Sequence, residues 1–145
     1  MQKERFKIIP ASYLVLRKDS KILLSRRFNT GYEDGNYSMV AGHVEKDETY
    51  LSNVVKEAKE EANITIRQED LKFVHAMYRN TEIPDKRYLD MYFECSKWKG
   101  NIKNIEPGKC DDISWFDINN LPENMIPSVR YALECILKNK PYSEF

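Results

Sequence analysis

Apolar positions along the chain follow two rhythms. Ile8 to Leu16 and Ile22 to Ser25 are apolar runs separated by the polar stretch Arg17-Lys18-Asp19-Ser20-Lys21, which predicts two strands joined by a turn. The segment Asn29-Thr30-Gly31-Tyr32-Glu33-Asp34-Gly35-Asn36 is dense in turn formers and predicts a loop. Tyr37 to Ala41 then predicts a short strand that stops at Gly42. From Thr49 to Ala62 the rhythm becomes helical, because Leu51, Val54, Val55, Ala58 and Ala62 fall on one stripe. Leu71 to Arg79, Tyr88 to Cys95 and Asp112 to Phe116 predict further strands, the second apolar enough to be buried on both faces. A second amphipathic helix is predicted from Ile126 to Leu137, on the spacing of Val129, Leu133, Ile136 and Leu137. Strands mixed with two helices imply an α/β or α+β sandwich, with helices covering the faces of a mixed sheet.

A chain of 145 residues is the size of one domain, and no repeat or Pro/Gly-rich linker divides residues 1–145. Hydrophobic residues at 41% and charged residues at 32% exclude extended disorder and a membrane protein. The 23 basic side chains balance 23 acidic ones, so no net field attracts a nucleic-acid polymer or an anionic membrane, and phosphate recognition must be local. Cys95, Cys110 and Cys135 have no pairing or zinc spacing, which fits reduced thiols and a cytoplasmic protein. Met1 to Pro10 lacks the apolar stretch of a signal peptide.

The chemistry concentrates on the first helix. Glu57, Glu60 and Glu61 stand at i, i+3 and i+4 and share one face beside the apolar stripe. Like charges at this spacing repel by roughly 0.2 to 0.5 kcal/mol per pair, so a positive neighbour is expected. Lysines 56 and 59 would make the face an ordinary solvated one, whereas a hard divalent cation would make it a metal site, and spacing alone does not choose.

The context of those glutamates does. Gly42 is followed after five residues by Glu48 and, seven further on, by Lys56-Glu57-Ala58-Lys59-Glu60-Glu61-Ala62-Asn63-Ile64. This stretch resembles the Nudix box, with all four glutamates in register. Lys56 stands where the box has arginine, keeping the charge but losing the planar two-pronged geometry. Asn63 stands where it has a helix-ending glycine, and asparagine is the next most tolerant residue for a left-handed backbone. The loop from Asn29 to Gly35 and the run Glu106-Pro107-Gly108-Lys109-Cys110, leading into Ile113-Ser114-Trp115-Phe116, are similar to segments of the MutT-like subgroup.

The resemblance implies a Nudix α/β/α sandwich with a mixed sheet between helices. It also implies hydrolysis of a diphosphate linkage with magnesium, manganese being the alternative ion. Glu57 and Glu61 would be the main metal ligands, Glu60 a further or water-mediated one, and a backbone carbonyl of Ala41 or Gly42 another. Gly42 would let the backbone come close, although a plain end-of-strand turn also explains it. Glu48 would brace the box through Lys56, or simply favour the helix N-terminus. Glu60 and Glu106 are the two candidates for general base.

Arg27 is the first choice for the phosphate tail, ahead of Arg26, Arg79 and Arg87, each of which also suits a plain surface role. His43, next to the glycine, would line the site, while His75, in a strand, is expected to be structural. Tyr32, Tyr37 and Met91 would form a base-stacking pocket unless packing claims them. Trp115 belongs to the core, and Cys110 lacks a base partner that would make it a nucleophile.

The leading expectation is a nucleoside triphosphate diphosphatase that releases a monophosphate and pyrophosphate, acting on damaged or noncanonical nucleotides. The alternatives are an ADP-ribose or nucleotide-sugar pyrophosphatase and, from another class, a non-catalytic nucleotide-binding module. Four retained glutamates argue against the last. The expected partner is a small nucleotide, with no membrane involved, and a homodimer is common among relatives.

Overall fold

A computed structural model describes residues 2–145. Eight strands form one mixed sheet: β1 (Ile9–Lys18), β2 (Lys21–Arg27), β3 (Tyr37–Ser38), β4 (Val40–His43), β5 (Lys72–Asn80), β6 (Arg87–Cys95), β7 (Cys110–Asp117) and β8 (Tyr142–Glu144). Helices α1 (Tyr50–Ala62) and α2 (Pro127–Leu137) complete the architecture. The centre is β1, which runs parallel to β6 from Ile9 to Leu16. On its other edge β1 pairs antiparallel with β4 through Ala11 to Leu14, then with β2 at Arg17 and Lys18. Beyond β6 lie β5, antiparallel to it, and β8, parallel to β5. Strands β3 and β7 flank β2.

Side chains of the central strands alternate between two apolar layers. Leu14 and Leu16 of β1, Leu23 of β2 and Phe93 of β6 pack with Val54, Ala58 and Ala62 of α1. Val15, Ile22, Leu24 and Tyr92 point the other way and pack with Val129, Ala132, Leu133 and Ile136 of α2. Burial on both faces explains why β1, β2 and β6 read as nearly continuous apolar runs. The result is the α/β/α sandwich.

Two differences from the sequence reading have physical causes. The strand expected over Tyr37 to Ala41 is broken at Met39, because Tyr37 and Ser38 pair with β2 whereas Val40 to His43 pair with β1. The three residues of β8 have no readable periodicity, since backbone hydrogen bonds to the edge of β5 create the strand. His75 is buried there, with its two ring nitrogens 2.7 Å from the Lys140 carbonyl and the Ser143 hydroxyl.

Arg79 of β5 and Asp90 of β6 form an ion pair inside the sheet's α2 face, with side chains 10% and 1% exposed. Two hydrogen bonds, of 2.6 and 3.2 Å, join the guanidinium to both carboxylate oxygens, and the Tyr88 ring lies 4.1 Å from the guanidinium carbon. Burial pushes the Asp90 carboxyl up while Arg79 opposes it. Removing one partner leaves an uncompensated buried charge, a loss of about 3 to 5 kcal/mol. Asp90→Ala is therefore expected to lower the unfolding free energy from urea titration by that amount, with a lower midpoint, and Arg79→Met combined with Asp90→Leu to recover most of it. An unchanged midpoint for Asp90→Ala would show that the pair carries no desolvated charge.

Candidate active site

Helix α1 is defined sharply at both ends. Thr49 is its N-cap, with the hydroxyl accepting from the Ser52 N–H at 3.1 Å, while the Ser52 hydroxyl accepts from the Thr49 N–H at 2.9 Å. Reciprocal capping of this kind satisfies two otherwise orphaned donors. At the C-terminus Asn63 adopts the left-handed conformation, φ 62°, and its N–H bonds the Lys59 carbonyl at 3.2 Å. Between the caps, Asn53, Glu57 and Glu61 recur every fourth residue and line the helix edge that faces β4.

That edge meets backbone at very close range. The Ala41 N–H donates to Glu61 Oε2 at 3.1 Å. A Cβ at Gly42 would lie 2.4 Å from the Glu57 carboxyl carbon, a separation no side chain tolerates. Gly42 has no positive φ, so what a side chain there would disturb is the placement of the Glu57 carboxyl and not the backbone conformation. The Glu57 and Glu61 carboxyls act on each other's protonation. Burial, reinforced by the Glu57 charge, pushes Glu61 well above the usual carboxylate range; burial, with Glu60 adding to it, also raises Glu57.

Lys56 borders this pair, its ammonium 2.7 Å from Glu48 and 3.8 Å from Glu57. The Lys56 contact, aided by the Glu45 N–H and the Asn53 amide, pulls Glu48 down to about 2, and Lys56 is raised in turn. Glu48 is thus an anion at any ordinary pH, while the Glu57 and Glu61 pair resists carrying two charges.

Beside Glu61 lies a cavity of about 110 Å³ lined by Arg27, Ala41, Glu61, Glu106, Lys109 and Cys110, among others. Arg27 is held by its own loop, with Nε donating to the Tyr32 carbonyl at 2.7 Å and Nη2 to the Thr30 hydroxyl at 3.1 Å. Asp34 ties that loop by accepting from the N–H groups of Thr30 and Gly31. Glu106 stands in a turn closed by the N–H groups of Lys109 and Cys110 on its carbonyl. A larger hollow of about 450 Å³, at Arg17, Phe73 and Leu137, contains none of the candidate residues.

Of the residues singled out by sequence, Glu57, Glu61, Ala41 and Gly42 converge, Glu48 and Lys56 adjoin them, and Arg27 and Glu106 share the cavity. Glu60 faces solvent beside them. Tyr32 is half exposed with its ring 5.3 Å from the Arg27 guanidinium, and exposed His43 lies 5.6 Å from the Tyr88 ring. Tyr37 packs into the α2 layer against Phe116 and donates its hydroxyl to Asp112, and Met91 packs into the α1 layer. Arg26 pairs with Asp111, Arg79 with Asp90, and Arg87 bonds the Lys86 carbonyl. Asn53 and Lys109 were not anticipated. For Asn53 the four-residue spacing to Glu57 and Glu61 was a usable signal.

Among the described residues no group of three His, Cys, Asp or Glu side chains is gathered as a metal cluster. Two convergent carboxylates are present, and their all-oxygen donors suit a hard divalent cation that fills its other positions with water and phosphate. Their raised proton affinity, and the close approach of the Glu57 carboxyl to the Gly42 backbone, fit the same ion.

Gly42→Ala is expected to fold with a change of under about 1 kcal/mol, because only the flexible Glu57 end must move. It should abolish the rise in melting temperature that magnesium or calcium produces; a rise of wild-type size would refute the close approach as a metal requirement. A pH prediction follows from the same pair. Raised carboxyls favour the metal-free fold fully below their unfolded values, roughly pH 4.3. That contribution is lost as pH climbs through the raised values, while a cation competes with the protons these carboxyls bind. The metal-induced rise should therefore grow with pH across this window, and a rise that shrinks would contradict the pairing.

Comparison with known proteins identifies the family. Residues 8–134 match the NUDIX domain. The NAD-capped RNA hydrolase NudC of Pectobacterium atrosepticum is 31% identical over 123 residues, 83% of this chain but 44% of that protein. The ADP-ribose pyrophosphatase of Methanocaldococcus jannaschii is 30% identical over 125 residues, covering 85% of this chain and 71% of that one. The chain thus spans less than half the length of the NudC relatives. In fold, the MutT Nudix hydrolase of Burkholderia pseudomallei superposes with a TM-score of 0.81 at 20% identity, over 88% of this chain and 97% of that one. With the domain matched from β1 into α2 and the box carboxylates gathered on α1, the chain belongs to the Nudix hydrolase family.

Proposed function

We propose that residues 1–145 act as one Nudix domain that uses magnesium to hydrolyse a diphosphate linkage in a nucleoside triphosphate. The observation that carries this is the joining of two cations, Arg27 and Lys109, to Glu61 and Glu106 around one cavity next to the Glu57 and Glu61 pair. A diphosphate resists attack because its oxygens repel a nucleophile, and magnesium held by Glu57 and Glu61 supplies charge neutralisation and an activated water. Arg27, fixed by its loop, binds and orients the phosphates with Lys109 on the same wall. Glu106, on the cavity wall, accepts the proton of the attacking water; Glu60, turned to solvent, is the second choice. Two cations beyond the metal suit a run of three phosphates.

A second reading is supported by the Methanocaldococcus jannaschii relative, whose name gives ADP-ribose as its substrate. The metal pair would then serve a diphosphate joining two sugars. The experiment is release of phosphate, pyrophosphate or monophosphate, with magnesium, from nucleoside triphosphates, oxidised triphosphates, ADP-ribose and nucleotide sugars. Glu61→Gln should abolish turnover and the metal-induced thermal shift together. Glu106→Gln should keep the shift but lower kcat by about 100-fold or more. Nucleotide binding without any turnover would favour a non-catalytic module instead.

A further inference from the structure

Glu48 is gripped from three directions. The Lys56 ammonium lies 2.7 Å from its Oε2, the Asn53 Nδ2 donates to its Oε1 at 3.0 Å, and the Glu45 N–H donates to the same Oε1 at 2.8 Å. Asn53 itself is fully buried, and its amide does more than hold Glu48. Nδ2 also donates to the His43 carbonyl at 2.8 Å, and Oδ1 accepts from the hydroxyl of Ser12, a buried residue of β1. One side chain on α1 therefore joins β1, the end of β4 and the loop that carries Glu48.

A buried amide needs a reason. Asparagine is a poor helix former, and a buried polar group costs stability unless its bonds are made. Its neighbours Val54, Ala58 and Ala62 show that an apolar side chain suits this side of the helix. What an apolar residue would not do is hold the loop.

We propose that Asn53 and Lys56 form a split clamp on Glu48, in which Asn53 is a positioning residue for the metal-binding backbone. A lysine ammonium is a point charge that fixes one carboxylate oxygen and leaves the group free to pivot about that contact. Asn53 supplies the second side-chain donor, on the other oxygen beside the Glu45 N–H, and is the one that ties this oxygen to α1. With Glu48 and the His43 carbonyl both fixed to α1, the strand residues Ala41 and Gly42 are held against Glu61 and Glu57. Asn53 touches no substrate and acts through Glu48 and His43. This inference rests on the metal reading of Glu57 and Glu61.

The test is a rescue experiment on the full chain, reading magnesium and calcium affinity by titration calorimetry together with kcat and KM. Asn53→Ala should weaken divalent binding about tenfold, a loss of about 1.4 kcal/mol, and lower kcat with little change in KM. Lys56→Arg placed in that background should recover most of the affinity, because a guanidinium reaches both Glu48 oxygens at once. In the wild-type background Lys56→Arg should change affinity little. Should Asn53→Ala fail to fold, Asn53→Asp keeps the volume and the Ser12 bond, loses both donations, and is expected to lose affinity likewise.

Wild-type divalent affinity in a folded Asn53 variant, with only the melting temperature lowered, would overturn the clamp and leave Asn53 a packing residue. Absence of recovery with Lys56→Arg would overturn it as well. No binding of either ion to the wild type would instead sink the metal site, and the clamp with it.

Discussion

Two carboxylates pressed against the backbone of Ala41 and Gly42 are the constraint around which this molecule is arranged. Glu57 and Glu61 project from adjacent turns of α1 toward β4, where one receives the Ala41 N–H and the other fills the space a Gly42 side chain would need. Two negative groups so placed cannot both ionise without cost, and burial raises both toward the neutral form. The arrangement is therefore poised to exchange a proton for a cation. Packing and hydrogen bonds of α1 hold the two groups together despite their repulsion.

The holding is distributed over several elements. Thr49 and Ser52 fix where α1 begins, Asn63 fixes where it ends, and the Val54, Ala58 and Ala62 stripe fixes its rotation on the sheet. Lys56 and Asn53 tie Glu48, and Asn53 reaches back to β1 through Ser12. Since β1 is also the strand on which β4, β2 and β6 converge, the helix edge is referenced to the centre of the sheet. A shift of α1 would break apolar packing and buried hydrogen bonds together, which is how a small fold holds repelling groups near one another.

The other side of the cavity is built differently. Arg27 ends β2 and is locked by the carbonyl of Tyr32 and the hydroxyl of Thr30, in a loop that Asp34 closes. Glu106 and Lys109 come from the turn before β7. Loop residues on a rigid sheet combine fixed cations with a wall that varies at little cost to the core. The metal side is thus set by helix packing, and the phosphate and substrate side by turns. No helix among the described residues is long and apolar enough to cross a membrane.

Local patterns carried much of this information. The 3.6-residue stripe on α1 sets which glutamates share a face, continuous apolar runs mark strands covered on both sides, and Asn63 signals a left-handed helix end because few residues tolerate that backbone. The box spacing then placed Gly42, Glu48, Glu57 and Glu61 in relation to one another before any coordinates. Tertiary structure alone decided which backbone atoms Glu61 meets, and that a side chain at Gly42 would displace the Glu57 carboxyl without straining φ. It also decided that Asn53 faces three separate segments, that Arg79 and Asp90 pair inside the sheet, and that Tyr37 belongs to the core. Periodicity reports the face of an element a residue occupies, which its own few neighbours determine. The partner on the opposite side comes from residues tens of positions away, and only folding brings that partner into reach.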